Sequence, residues 1–212
     1  MIIVRRIATK LRLIVYDHIF RDIVFGYNKR PKSSLNNDFK EGRWNYLESL
    51  EEKARYDKVI ELYEEFKQGG SILDIGCGQG VLYQYLQEVF PNVSNVFCGI
   101  DIAEEAVSIA KKKFPVIDFR AINFEQENLN GKFDVVIFNE SLYYFGWPLK
   151  TLEKCVQYNL NPDGIFIVSM HDYYGRNKRI WKHIDQNYTV LSERTTTNKN
   201  GQTWDTKAFK PR

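Results

Sequence analysis

Residues 72 to 80 read Ile72-Leu73-Asp74-Ile75-Gly76-Cys77-Gly78-Gln79-Gly80, an apolar β-forming stretch that runs into three glycines at alternate positions. Glycines there let the backbone turn tightly and approach a ligand with no Cβ in the way. The next apolar stretch ends Gly99-Ile100-Asp101-Ile102. Its carboxylate can accept hydrogen bonds from both hydroxyls of a ribose. A loop that cradles a pyrophosphate would follow the pattern GxGxxG, whereas this chain has GxGxG. Asp74, just before the loop, repels a phosphate and attracts an ammonium group. Together these residues favour a nucleoside that carries an amino acid over a dinucleotide.

Such a site needs strands that end at one edge and helices that return the chain. The pattern Leu50, Ala54, Val59, Leu62, Tyr63, Phe66 predicts a helix from about Glu48 to Lys67, stopped by Gly69 and Gly70. Five β runs follow, over 71–75, 96–100, 116–122, 133–138 and 165–170. Helical stretches over 81–90, 104–114 and 148–160 separate them, the last opened by Pro148 and closed by the turn Asn161-Pro162-Asp163-Gly164. This alternation predicts parallel pairing, right-handed crossovers and helices on both faces. Residues 188–196 and 203–209 flank Asn200-Gly201 and predict a hairpin, hence an antiparallel edge.

Composition and charge narrow the class. The chain has 212 residues, 43% of them hydrophobic and 27% charged, which suits one globular domain with an appendage. No apolar run reaches the ~18 residues of a membrane span, no signal-peptide pattern opens the chain, and three scattered cysteines form no disulfide framework or metal pair. A cytoplasmic protein with reduced thiols and no metal is expected. The net charge of +3 divides into +6 over residues 1–40, −8 over 41–170 and +5 over 171–212. An acidic centre argues against a nucleic-acid footprint across one face. Residues 1–40 read as a basic amphipathic segment (2–25) and a linker (26–37), and residues 41–212 as the domain proper. The amphipathic stretch suits an anionic membrane surface or a partner, and equally packing on its own core or a dimer mate.

Asp74 to Gly80 together with Asp101 resemble the first two motifs of class I S-adenosylmethionine-dependent methyltransferases, and the order of elements is similar from about residue 48 to the final hairpin. The resemblance implies a Rossmann-like α/β fold with a seven-stranded sheet, mostly parallel with an antiparallel C-terminal edge. It implies S-adenosylmethionine as cofactor and S-adenosylhomocysteine as product. On that basis Gly76, Cys77 and Gly78 bring backbone to the methionine part, Gly80 belongs to the same cofactor-binding loop, and Asp74 supports the methionine amino group. Asp101 holds the ribose, Ile102 lies against adenine, and Asn123 with Phe124 stands where the family often has an adenine-binding aspartate. Asn139 offers a backbone carbonyl near the amine. Arg55 is similar in spacing to an arginine of ubiquinone-pathway O-methyltransferases that pairs with the methionine carboxylate. A solvated pairing with Glu51 or Glu52 is the alternative. Trp44 and Tyr46 can serve as a lid over the sulfonium or as core.

A methyl acceptor belongs at the carboxyl edge, beside the loops after the fourth and fifth strands. His171 is the leading candidate base, one of three histidines and placed at a strand end; Glu140 and Tyr144 are the other catalytic candidates. The run Asn139-Glu140-Ser141-Leu142 lacks the prolines with which nucleic-acid amino-methyltransferases grip a base. Glu140 to Tyr144 is instead similar to nodulation-factor N-methyltransferases, and residues 39–47 and 138–145 resemble small methyltransferases of bacterial polysaccharide gene clusters. A sugar, sugar nucleotide or glycan is the expected acceptor, in polysaccharide biosynthesis at the inner membrane face. RNA, another small molecule, or a non-catalytic cofactor-binding subunit are the alternatives.

Overall fold

A computed structural model describes residues 29–171, 175 and 177–212. The amphipathic reading of residues 2–25 lies outside the described residues. Seven strands form one sheet in the order β3-β2-β1-β4-β5-β7-β6. They are β1 (Ile72–Ile75), β2 (Phe97–Asp101), β3 (Asp118–Ala121), β4 (Phe133–Asn139), β5 (Leu160–His171), β6 (Tyr188–Thr197) and β7 (Thr203–Pro211). Strands β1 to β5 pair in parallel, whereas β7 runs antiparallel to both β5 and β6. The chain thus leaves β1 toward β2 and β3 on one side and returns through β4 on the other. A crevice opens at the carboxyl ends where that order reverses.

The helices are α1 (Lys32–Lys40), α2 (Leu50–Lys67), α3 (Val81–Val89), α4 (Glu104–Lys113), α5 (Pro148–Tyr158) and α6 (Lys178–Asn187). Consecutive residues of β4 serve opposite faces of the sheet: Val135 and Ile137 pack with Leu62 of α2 and Leu86 of α3, while Val136 and Phe138 pack with Leu152 of α5 and Ile184 of α6. Burial on both faces explains why Val135 to Phe138 are apolar without a break. Helix α2 ends where Gly69 takes φ +81°, with the Tyr63 hydroxyl accepting from the Gly69 N–H and donating to the Gly70 carbonyl. A side chain at that backbone angle would be strained.

Three expectations change. The described part of the expected linker carries α1, whose Phe39 packs on Ala103 and Ala106 beside α4 and whose Asn36 accepts from the Glu105 N–H. Its polar composition masks a helix that only tertiary contacts stabilise. The fifth strand begins at Leu160 rather than Ile165, because Leu160 pairs with Phe133 before a register irregularity absorbs the Asn161–Gly164 stretch. Helix α6, which bridges β5 to the hairpin, had no counterpart among the expected elements.

Candidate active site

The crevice is a cavity of about 390 Å³. It is floored by the ends of β1, β2, β4 and β5, and its rim includes Arg30, Phe39 and Trp44 of the N-terminal segment and Gln202 and Trp204 of the hairpin. Gly76 has φ +83°, and a Cβ built there would stand 2.4 Å from the Cβ of Ser141, whose hydroxyl donates to the Ile75 carbonyl at 2.5 Å. This glycine therefore lets the β1 loop and the β4 loop touch. Gly76→Ala is expected to lower stability by roughly 1–3 kcal/mol, measured by chemical denaturation, through backbone strain and the displaced Ser141. Gly78, at φ +55°, places its N–H on the Asp101 carboxylate at 2.9 Å. Gly80 does not line the cavity; it caps α3 at φ +83°, and a Cβ there would press on Phe119 and Phe114. Its requirement for glycine comes from helix packing.

The acidic residues differ in their partners. Asp101 accepts from the Gly78 N–H with one oxygen and from the Ala103 N–H with the other. Burial raises its carboxyl above the usual range while those backbone N–H groups pull it down. Each oxygen keeps lone-pair capacity for a hydroxyl. Asp74 is 1% exposed, and its Oδ1 has no hydrogen-bond partner at all. Burial, reinforced by the charge of Asp101 and opposed by that of Arg55, pushes its carboxyl up to about 8. A buried carboxyl without a partner is costly, and its placement on a cavity wall marks a place for a cationic donor.

Arg55 is 2% exposed and is no solvated helix residue. Nε donates to Glu52 Oε2 at 2.7 Å, Nη1 to Asn139 Oδ1 at 2.7 Å and Nη2 to the Tyr56 hydroxyl at 2.8 Å, with the guanidinium 4.1 Å from the centre of the Tyr56 ring. The Glu52 alternative is thus present together with a place on the cavity wall. Burial works against its charge, but Tyr56, Glu140 and Glu52 outweigh that and raise its pKa. The side-chain oxygen of Asn139, not only its backbone, proves to be structural.

At the β4 and β5 ends, Glu140 adopts φ +59°, a left-handed conformation rare outside glycine and characteristic of residues held for function. Its Oε1 accepts from the His171 backbone N–H at 2.5 Å and its Oε2 from the Tyr143 hydroxyl at 2.8 Å. Burial raises its carboxyl, and Arg55, Tyr143 and His171 oppose the rise. The His171 ring lies 5.5 Å from that of Trp204, and its Nδ1 meets the Thr203 carbonyl at 2.7 Å. A carbonyl only accepts, so Nδ1 donates to it. Tyr144, Ile102, Asn123 and Phe124 also line the cavity, Phe124 as a buried side chain edge-on to Phe145. Trp44 stacks between Phe39 and Tyr46 at centroid distances of 5.8 and 6.1 Å.

A family model described as a methyltransferase domain matches residues 66–209. The chain belongs to the class I S-adenosylmethionine-dependent methyltransferases. Among curated relatives, the malonyl-[acyl-carrier protein] O-methyltransferase of Acetivibrio thermocellus is 34% identical over 100 residues, spanning 46% of this chain and 34% of that protein. The mitochondrial ubiquinone biosynthesis O-methyltransferase of Saccharomyces cerevisiae is 32% identical over 139 residues, spanning 59% of this chain and 43% of that protein. The chain therefore matches less than half the length of either. Among solved structures, the N-methyltransferase NodS of Bradyrhizobium japonicum, in complex with S-adenosylhomocysteine, superposes with a TM-score of 0.69 at 18% identity, covering 85% of this chain and 97% of that one. The NodS chain shares the fold whose sheet carries the cavity at its carboxyl edge.

Two groups of cavity residues escaped the sequence reading. Lys29 and Arg30 sit in the segment read as linker and Phe39 just beyond it; Lys29 pairs with Glu125 at 2.6 Å and Arg30 with Asp38 at 2.5 Å. Gln202 and Trp204 sit on the hairpin, where strand register against β5 brings Trp204 opposite His171. Hairpin pairing was legible, but the register that aims those residues was not.

Proposed function

We propose that this protein transfers a methyl group from S-adenosylmethionine to a polar small molecule bearing a hydroxyl or amine. The observation that carries the reading is the unpartnered, buried Asp74 on the same cavity wall as the buried Arg55. An α-amino acid group satisfies both: its ammonium donates to Asp74 and its carboxylate receives the Arg55 fork. Asp101 would take the ribose hydroxyls, with Ile102, Asn123 and Phe124 beside the base. The cofactor, when bound, supplies a methyl on a sulfonium that departs as a neutral thioether.

The rest of the work falls to the chain's own residues. Trp44, Tyr46 and Tyr144 line the cavity and present aromatic faces to a sulfonium. His171, oriented by its Nδ1–H on the Thr203 carbonyl, is the group that takes the acceptor's proton. Glu140 accepts from the His171 backbone N–H and the Tyr143 hydroxyl, which ties the β4 loop to the end of β5, and it stands beside His171 as the second candidate base. Aromatic rings next to His171 and Gln202 suit the CH faces and hydroxyls of a sugar, which supports a sugar, sugar nucleotide or glycan as acceptor.

Transfer of label from isotopically marked S-adenosylmethionine, screened against sugar nucleotides, glycans, acyl carrier protein conjugates and RNA, tests the reading. A labelled sugar product is expected, with His171→Ala lowering turnover roughly 100-fold or more while cofactor affinity stays within about twofold. Label on RNA alone would replace the acceptor reading. Cofactor binding with no labelled product from any acceptor would point to a non-catalytic subunit.

A further inference from the structure

Among the described residues, the buried side-chain polar atoms with no hydrogen-bond partner are Trp44 Nε1, Asp74 Oδ1, Asn159 Oδ1, Asn177 Oδ1, Trp181 Nε1 and Trp204 Nε1. Asp74, Trp44 and Trp204 line the cavity. The proposed cofactor answers Asp74, and Trp44 stands with Phe39 near Ala103, at the β2 side. Trp204 is different, for it is 2% exposed and lies at the opposite end of the crevice, against His171. An indole N–H can only donate, and leaving one buried without an acceptor is costly. Native proteins keep few such atoms, so an orphaned donor on a cavity wall points to an acceptor brought by a ligand.

Neighbouring groups define the ligand chemistry. Trp204 faces His171 in the β5–β7 register, so the two side chains share one face of the sheet. The His171 ring, the base of the proposed reaction, lies 5.5 Å from that of Trp204, whose indole N–H suits an oxygen. Gln202, on the same wall, has its Oε1 taken by the Asn198 amide at 2.7 Å, which leaves its own amide as a donor. The orphaned indole N–H thus lies beside the proposed base, with a second donor on the same wall.

We propose that Trp204 is a specificity-determining residue whose indole N–H holds an oxygen adjacent to the atom that is methylated. The acceptor class is a molecule with two neighbouring heteroatoms, such as a vicinal diol or an amino alcohol, rather than a lone hydroxyl. This rests on the methyltransferase reading of the same cavity and adds the substrate feature that it selects.

The chain has four tryptophans, so indole-labelled protein gives four side-chain N–H signals in a nitrogen–proton NMR spectrum. Trp204→Phe identifies its signal by loss; should that variant fail to fold, single substitutions of Trp44, Trp147 and Trp181 identify it by elimination. The probes are cyclohexane-1,2-diol and methyl β-D-glucopyranoside, with cyclohexanol as the one-oxygen control, each added with and without saturating S-adenosylhomocysteine. The Trp204 proton is expected upfield, as an unbonded indole, in protein alone, and to move downfield with at least one two-oxygen probe but not with cyclohexanol. Trp204→Phe is expected to weaken that probe roughly tenfold and leave S-adenosylhomocysteine affinity unchanged. A Trp204 proton already at a hydrogen-bonded position, no response to either two-oxygen probe, or equal binding by Trp204→Phe overturns the proposal. Failure of S-adenosylhomocysteine to bind overturns the cofactor reading separately, while the probe response in its absence still decides the role of Trp204.

Discussion

Asp74→Asn is expected to make the ligand-free protein more stable and the cofactor site much weaker. In the folded chain the Asp74 carboxyl is pushed from 3.8 up to about 8 by burial and by Asp101. The unfolded chain gives up that proton near pH 4 and the folded chain only near pH 8. Over that window the folded state holds the extra proton, so this group's contribution to stability falls as pH rises, and the loss is complete above about pH 8. An amide removes the titration, so the advantage of the variant is expected to be small near pH 4 and to grow toward pH 9 in denaturation midpoints. An ammonium seated on Asp74 pulls its pKa back down, so binding at pH 7 releases a proton. Calorimetry in two buffers of different ionisation heat is expected to show that release in the wild type and to lose it in the variant. Affinity for S-adenosylhomocysteine is expected to fall roughly 10- to 100-fold, about 1.4–3 kcal/mol. A variant with unchanged affinity would remove Asp74 from the site.

Arg55→Met carries the largest expected loss of stability, about 3–5 kcal/mol, because it strands a buried Glu52 carboxylate without its partner. It also takes donors from Asn139 Oδ1 and the Tyr56 hydroxyl. Combining it with Glu52→Gln is expected to recover part of the stability, since no uncompensated charge is then buried, but to recover none of the cofactor affinity. Urea denaturation of the two single variants and the double variant, beside calorimetry with S-adenosylhomocysteine, separates those effects. Full recovery of affinity in the double variant would mean that Arg55 only neutralises Glu52 and does not meet the ligand.

The parallel half of the sheet was legible because its signals are local: four consecutive apolar residues, Val135 to Phe138, for β4, alternating glycines after β1, a carboxylate closing β2. The glycine loop reads as one motif in sequence, yet its members answer different constraints. Gly76 admits Ser141, Gly78 offers its N–H to Asp101, and Gly80 makes room for Phe114 and Phe119. Only the third dimension separates these roles. What stayed hidden depends on contacts distant in sequence. Helix α1 reads as linker because Ser33, Ser34, Asn36 and Asn37 have weak helix propensity, and its partner face on α4 lies some 70 residues away, as the Lys32–Glu104 pair at 2.7 Å shows. Arg55 could be read as a helix-surface cation because Glu51 and Glu52 lie nearby in sequence. Its burial follows from how α2 crosses the end of β4, where Asn139 waits. Trp204 gave no signal beyond a strand position, since strand propensity says nothing about an unpaired indole.

Titration calorimetry of the wild-type protein with S-adenosylhomocysteine at pH 7 tests the cofactor site most directly. One site per chain is expected, with affinity on the order of micromolar and proton release that disappears in Asp74→Asn. Absence of binding, or binding that Asp74→Asn and Arg55→Met leave untouched, would contradict the assignment of this cavity to S-adenosylmethionine.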